Sequence, residues 1–159
     1  MSLFQIYDDL AKACQKRFQV TEKLTLADMV KLITPPAFPS GTEILGRTLF
    51  SIGDHQVDIP LTLEAVPPAM SKPIKLLITV FNDNFLYVSP NTKLIFNKSD
   101  GTQLSLDIPS ISTDYKDGEH WVKTVSVTIP ANTSIANNKA ILRVGAYNSF
   151  SIEKIIATY

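Results

Sequence analysis

Groups that could attack a substrate, move a proton or hold a metal are sparse in this chain. The two histidines, His55 and His120, are far apart, and His120 sits beside Trp121 at what reads as the start of a strand. A lone imidazole there reads as a strand-edge residue, because a general base needs a positioned partner. The single cysteine, Cys14, falls on a helical apolar stripe, where a thiol packs as a small hydrophobe. One cysteine also excludes an intramolecular disulfide and a Cys-rich zinc site. There is no Gly-x-Ser-x-Gly elbow, no phosphate-binding loop and no dinucleotide fingerprint. Carboxylates are more plentiful. Asp114, Asp117 and Glu119 form an acidic loop that reads as a solvated turn. Glu43 opens the first predicted strand and Glu153 lies in the last. If those strands adjoin, the two carboxylates would offer oxygens to a structural calcium ion, which needs several. No other cofactor is implied. The expectation is a protein that binds and does not catalyse.

Binding would fall to aromatic and polar side chains that strand alternation turns away from the core. Successive side chains of a strand point to opposite faces. In 74–82, Leu76, Ile78 and Val80 share the inner face and Phe81 the outer one. In 139–147, Leu142, Val144 and Ala146 point inward, whereas Arg143 and Tyr147 point outward. Phe85 and Tyr87 stand opposite Leu86 and Val88. Tyr147, Tyr87 and Phe85 are therefore candidates for stacking on a ligand, with Arg143 and Asn148 as hydrogen-bonding candidates. Trp121 has the parity of the core valines and is a weaker stacking candidate, since a Trp is more often a packing residue. The alternative for each aromatic is packing under loops or helices.

These residues sit in the second of two unlike parts. Residues 1–34 read as a helical hairpin. Leu3, Ile6, Leu10, Cys14 and Phe18 recur at helical spacing after a Ser2–Gln5 capping box. A second helix starts at Thr25, with Asp28 answering as in a capping box and Leu24 and Met29 as a hydrophobic staple. It ends near Ile33, before Pro35 and Pro36. A piece this small cannot bury its own stripe and must pack on the rest of the chain or on other copies. Residues 35–42 form a Pro-rich, semi-rigid linker. From 43 to 159, β-prone runs alternate with Pro, Gly, Asn and Asp: 43–52, 57–66, 74–82, 85–89, 92–97, 102–108, 120–129, 139–147 and 151–158. Asn97 to Gly101 is a hairpin turn. The fold class is mainly β: an antiparallel β-sandwich (jelly roll) preceded by a short N-terminal helical hairpin.

Composition agrees. The chain has 159 residues, 45% of them hydrophobic and 19% charged, which suits one packed domain with a small appendage. Fifteen basic and fifteen acidic residues leave no net charge, so the basic excess of a dedicated nucleic-acid binder is absent. No apolar run approaches the ~20 residues of a membrane span. The N-terminus carries no secretory pattern, so the sequons at Asn97 and Asn132 are expected to be silent.

Two stretches resemble known families. The first is His120-Trp121-Val122-Lys123-Thr124-Val125-Ser126-Val127-Thr128-Ile129-Pro130-Ala131, continued by Ile141-Leu142-Arg143-Val144-Gly145-Ala146-Tyr147 and Ser151-Ile152-Glu153-Lys154-Ile155-Ile156. It resembles the closing strands of jelly-roll carbohydrate-binding modules, in which an Asp commonly stands at the place of Glu153 and sometimes helps a calcium site. The second is Ile6-Tyr7-Asp8-Asp9-Leu10-Ala11-Lys12-Ala13 with Lys23-Leu24-Thr25-Leu26-Ala27-Asp28-Met29-Val30-Lys31-Leu32-Ile33. It resembles a helical segment of tail, baseplate and fibre-associated proteins of phages infecting Gram-positive bacteria. Together these resemblances imply a non-enzymatic virion accessory protein that binds bacterial surface saccharides. They also imply a tail-protein partner and self-association, as a trimer if the likeness to fibres holds. The location implied is the phage tail, or the bacterial cytoplasm when expressed from a prophage. The alternative is a structural tail module that binds no sugar.

Overall fold

The computed structural model of the protein describes residues 3–18, 21, 23–26, 28–29, 38–50, 53–112 and 121–159. The chain divides into two units, Met1–Ala37 and Phe38–Tyr159.

The first unit contains helix α1, Leu3–Phe18, with Lys16 and Arg17 in its last turn, where cations complement the helix dipole. The predicted second helix start is present. Thr25 N–H donates to Asp28 Oδ2 at 3.0 Å, and Asp28 N–H donates to Thr25 Oγ1 at 3.2 Å. Met29 N–H donates to Thr25 O at 3.0 Å, closing the first turn. The predicted end near Ile33 lies outside the described residues. Cys14, Leu24 and Met29 form a small core, flanked by Tyr7 and Ala11. The Tyr7 hydroxyl donates to Leu24 O at 2.8 Å, tying α1 to the second segment. Of the apolar stripe read from sequence, Cys14 is buried while Ile6 and Leu10 are exposed. The buried face of α1 is rotated to Tyr7, Ala11 and Cys14, because the Tyr7 ring can bury its body and still satisfy its hydroxyl.

The second unit is mainly β and antiparallel. Its strands are β1 (Thr42–Leu45), β2 (Val57–Thr62), β3 (Ile74–Asn82), β4 (Tyr87–Val88), β5 (Lys93–Lys98), β6 (Gln103–Asp107), β7 (Ile111–Ser112), β8 (Trp121–Ile129), β9 (Ile135–Val144) and β10 (Ser151–Thr158). One sheet has the order β1-β10-β3-β8, a second β2-β9-β5-β6, and β4 pairs with β7. Ile74, Leu76, Ile78 and Val80 of β3 meet Leu94, Phe96, Leu142 and Val144 of the other sheet in one shared core. That is the layering of a β-sandwich.

Local chemistry explains the boundaries. The β5–β6 hairpin turns at Asp100-Gly101, where Gly101 takes φ +82°, a left-handed backbone that a side chain would strain. Asp100 Oδ1 accepts from Thr102 N–H at 2.9 Å and from Thr102 Oγ1 at 2.7 Å. These two bonds, more than the nearby Lys98 ammonium, pull the Asp100 carboxyl down to about 2. Strand β9 begins at Ile135, earlier than the expected 139. The segment 136–138 is rich in Asn, a poor strand former, but backbone pairing outweighs that propensity: Asn138 O accepts from Leu63 N–H at 2.8 Å. The expected run 43–52 shortens to β1, and β7 has too little sequence of its own to be read. Phe38, expected in the linker, packs on the β core.

Candidate functional site

Five of the aromatic and polar side chains singled out from sequence, Phe85, Tyr87, Trp121, Tyr147 and Asn148, lie at one end of the sandwich, and Asn148 holds the outermost of them. Strand β3 ends at Asn82, whose Oδ1 accepts from Asn84 N–H at 2.9 Å and Phe85 N–H at 3.0 Å. This side-chain-closed turn aims Phe85 and the following Tyr87. Their rings stack at 6.2 Å between centroids and 10° between planes, and both residues are half-buried. Beyond them Tyr87 N–H donates to Ser149 O, and Ser149 N–H to Tyr87 O, each at 2.9 Å. The β3–β4 loop is thus joined to the β9–β10 loop that carries Tyr147 and Asn148.

Tyr147 is 76% exposed and has φ +61°. A bulky residue in the left-handed region is strained, and such strain persists only where its surroundings hold it. Asn148 does the holding. Its Nδ2 donates to Gly145 O at 2.6 Å and to Ser89 Oγ at 2.9 Å. Its Oδ1 accepts from Ser89 N–H at 2.6 Å and from Thr92 Oγ1 at 3.4 Å. Ser89, Thr92 and Asn148 are the buried polar residues among those described. Gly145 is required by this close approach, since a Cβ there would lie 2.5 Å from Ser89 Oγ. Asn148 was expected to contact ligand. It is buried and spent on the loop, so its part is to position Tyr147.

The two remaining candidates are engaged elsewhere than on the exposed tip. Trp121 pairs across from Asn82 at the same end, half-buried against the core, in line with its inward parity. Arg143 lies on the outer face of β9, where its Nε and Nη2 each donate to a different Asp58 oxygen at 2.7 Å. This two-pronged pair holds the Asp58 carboxyl below its usual range and raises Arg143. Arg143 is therefore half of a partly exposed cross-strand ion pair. Phe81, expected outward, has that parity but is buried, with the Arg47 guanidinium 4.5 Å above its ring.

The two carboxylates singled out for a calcium ion, Glu43 and Glu153, stand apart on the β1–β10 pair. Glu43 pairs across from Ile156 in the β1–β10 ladder, three residues from Glu153, roughly 10 Å along a strand. Glu153 instead lies 3.5 Å from Arg47. Among the described residues no group of three His, Cys, Asp or Glu side chains is placed to share a metal. The acidic loop of Asp114, Asp117 and Glu119, and His120, lie outside the described residues. His55 has only Asp54 beside it, and both are highly exposed.

Comparison with protein-family models, with curated proteins and with solved structures finds no match for this chain. Among the described residues no helix is long and apolar enough to cross a membrane. Sequence reasoning missed Ser89, Thr92 and Gly145. Turn composition marked their loops, but nothing local announces that Asn148 reaches back to Ser89.

Proposed function

We propose that this protein is a non-catalytic saccharide-binding module, with the β domain as the binding part and the helical hairpin as its attachment. The observation that carries the reading is the Phe85–Tyr87 stack beside a strained, exposed Tyr147 pinned by a buried asparagine. Aromatic faces stack on the apolar faces of sugar rings, and a rigid platform loses little entropy on binding. Weak single sites then act through many copies.

The strand pairing supports a jelly roll within this proposal. The first strand pairs with the last (β1·β10), the second with the next to last (β2·β9), then β3 with β8 and β5 with β6. Such nested pairs are what a folded-over antiparallel ribbon of two Greek keys produces. The placement in a phage tail, with a tail protein as partner and a bacterial surface saccharide as ligand, rests on the sequence resemblance of the hairpin. A second reading, a structural assembly module, is supported by the exposed Ile6, Leu10 and Leu26 of the hairpin unit.

The test is a glycan array with a cell-wall pull-down, using the intact protein, Tyr147→Ala and a Phe85→Ala/Tyr87→Ala double variant. Retained saccharide binding in the wild type, and roughly tenfold weaker binding in each variant, is expected. Affinity equal to wild type in both variants removes this end of the sandwich from the site. No saccharide bound by folded wild-type protein favours the assembly module.

A further inference from the structure

A cleft with one aromatic wall, Tyr159, lies at the other end of the sandwich. Thr158 of β10, Lys75 of β3 and Thr128 of β8 stand side by side in register, forming one row across the outer face of the first sheet. Pro73 and Tyr159 close this row into a cleft of about 410 Å³. That volume is within the usual range for small-molecule sites, roughly 300–1,000 Å³. Along β3, Lys75 is six residues from Phe81, about 20 Å from the Tyr147 end.

The Tyr159 ring is fixed and accessible together. Its hydroxyl donates to Phe38 O at 2.7 Å, and its backbone N–H donates to Ser40 Oγ at 3.2 Å. Even so, 47% of the residue remains exposed. Among the described residues no carboxylate side chain lines the cleft and none pairs with Lys75. The cleft therefore offers a held aromatic face, two threonine hydroxyls and a cation without a side-chain counter-charge.

We propose that this cleft binds an acidic saccharide, a sugar unit carrying a carboxylate or a phosphate. The ring CH face lies on Tyr159 and Pro73, the threonine hydroxyls meet sugar hydroxyls, and the Lys75 ammonium pairs with the acid group. Thr158 Oγ1 already donates to Lys75 O at 3.3 Å, so toward a ligand it acts as an acceptor. The site stands apart from the Tyr147 end and extends the saccharide reading to a second, charge-selective contact.

The experiment is an amide NMR titration of the full chain with glucuronic acid, glucose 6-phosphate and glucose in separate arms. Saturable shifts at Lys75, Thr128, Thr158 and Tyr159 are expected with at least one acid, and binding about tenfold weaker with glucose. Whichever acid binds more tightly identifies the acid group. Lys75→Gln should abolish the preference for acid, Tyr159→Leu should weaken binding of acid and glucose alike, and Tyr147→Ala should change nothing at this cleft. Absence of shifts at these amides with both acids, or an undiminished acid preference in Lys75→Gln, overturns the proposal. Shifts confined to residues near Tyr147 overturn it while leaving the first site standing, and shifts at neither end count against both.

Discussion

Replacing Asn148 by alanine should destabilise the β domain and loosen the Tyr147 tip together. The side chain is 6% exposed and makes four hydrogen bonds, to Ser89 N–H, Ser89 Oγ, Thr92 Oγ1 and Gly145 O. Its removal orphans a buried backbone N–H at Ser89 and a carbonyl at Gly145, each worth about 1–3 kcal/mol when unsatisfied. The Thr92 contact at 3.4 Å is long and adds little. Burying the amide has its own desolvation cost, now absent, and a water can enter the vacated space. The net loss is about 2–4 kcal/mol, a large share of a typical stability of roughly 5–15 kcal/mol. Urea unfolding followed by the single tryptophan, Trp121, reports on the β domain alone. The midpoint should fall with an unchanged slope, since the same surface is exposed on unfolding. A Tyr147→Gly variant separates strain from anchoring. It relieves the left-handed backbone but adds unfolded-state entropy, so the effects offset to within about 1 kcal/mol while any saccharide binding at that end is lost. A loss below about 1 kcal/mol in Asn148→Ala, or a large loss in Tyr147→Gly, would refute the assignment of Asn148 as the clamp that holds a strained tip.

Other outcomes follow from the same geometry. The Asp100 carboxyl should titrate at about 2 in an NMR pH series, below the ordinary aspartate value of 3.8. Because its folded value is depressed, the stabilisation of the β5–β6 turn is complete above about pH 4 and lost as pH falls through 2; Thr102→Ala should move the midpoint back up. Thr25→Ala removes the cap that Asp28 answers, costing about 1 kcal/mol, and should speed hydrogen exchange at Met29 N–H by roughly fivefold.

The hairpin start, most strands and the β5–β6 turn were legible in the sequence because each is decided by neighbours in the chain. Thr25 and Asp28 are three residues apart, Asp100-Gly101 dictates its own turn, and β3 alternates along its whole length. The aromatic candidates were legible for the same reason, through parity. Parity says which side of a strand a residue is on. It does not say what lies above that side. Phe81 is outward and buried under Arg47, whereas Tyr147 is outward and bare. Helical spacing left two adjacent faces of α1 open, and the bond from Tyr7 to Leu24 selects the one that packs within the unit.

What the sequence determined by itself was local: alternation, caps, turns, and the scarcity of histidine and cysteine among its side chains. What only the tertiary structure decided was pairing across distance. Asn148 with Ser89, Arg143 with Asp58, and Tyr159 with Phe38 join residues far apart in the chain. The physical reason is that a hydrogen bond or ion pair needs two groups within about 3 Å. Residue type states what each group can do, while strand order and register set which group it meets. Those pairings buried Asn148 as the support of a loop and tied Arg143 to Asp58, and they brought Tyr159 and Lys75 together in a cleft that no stretch of sequence announced.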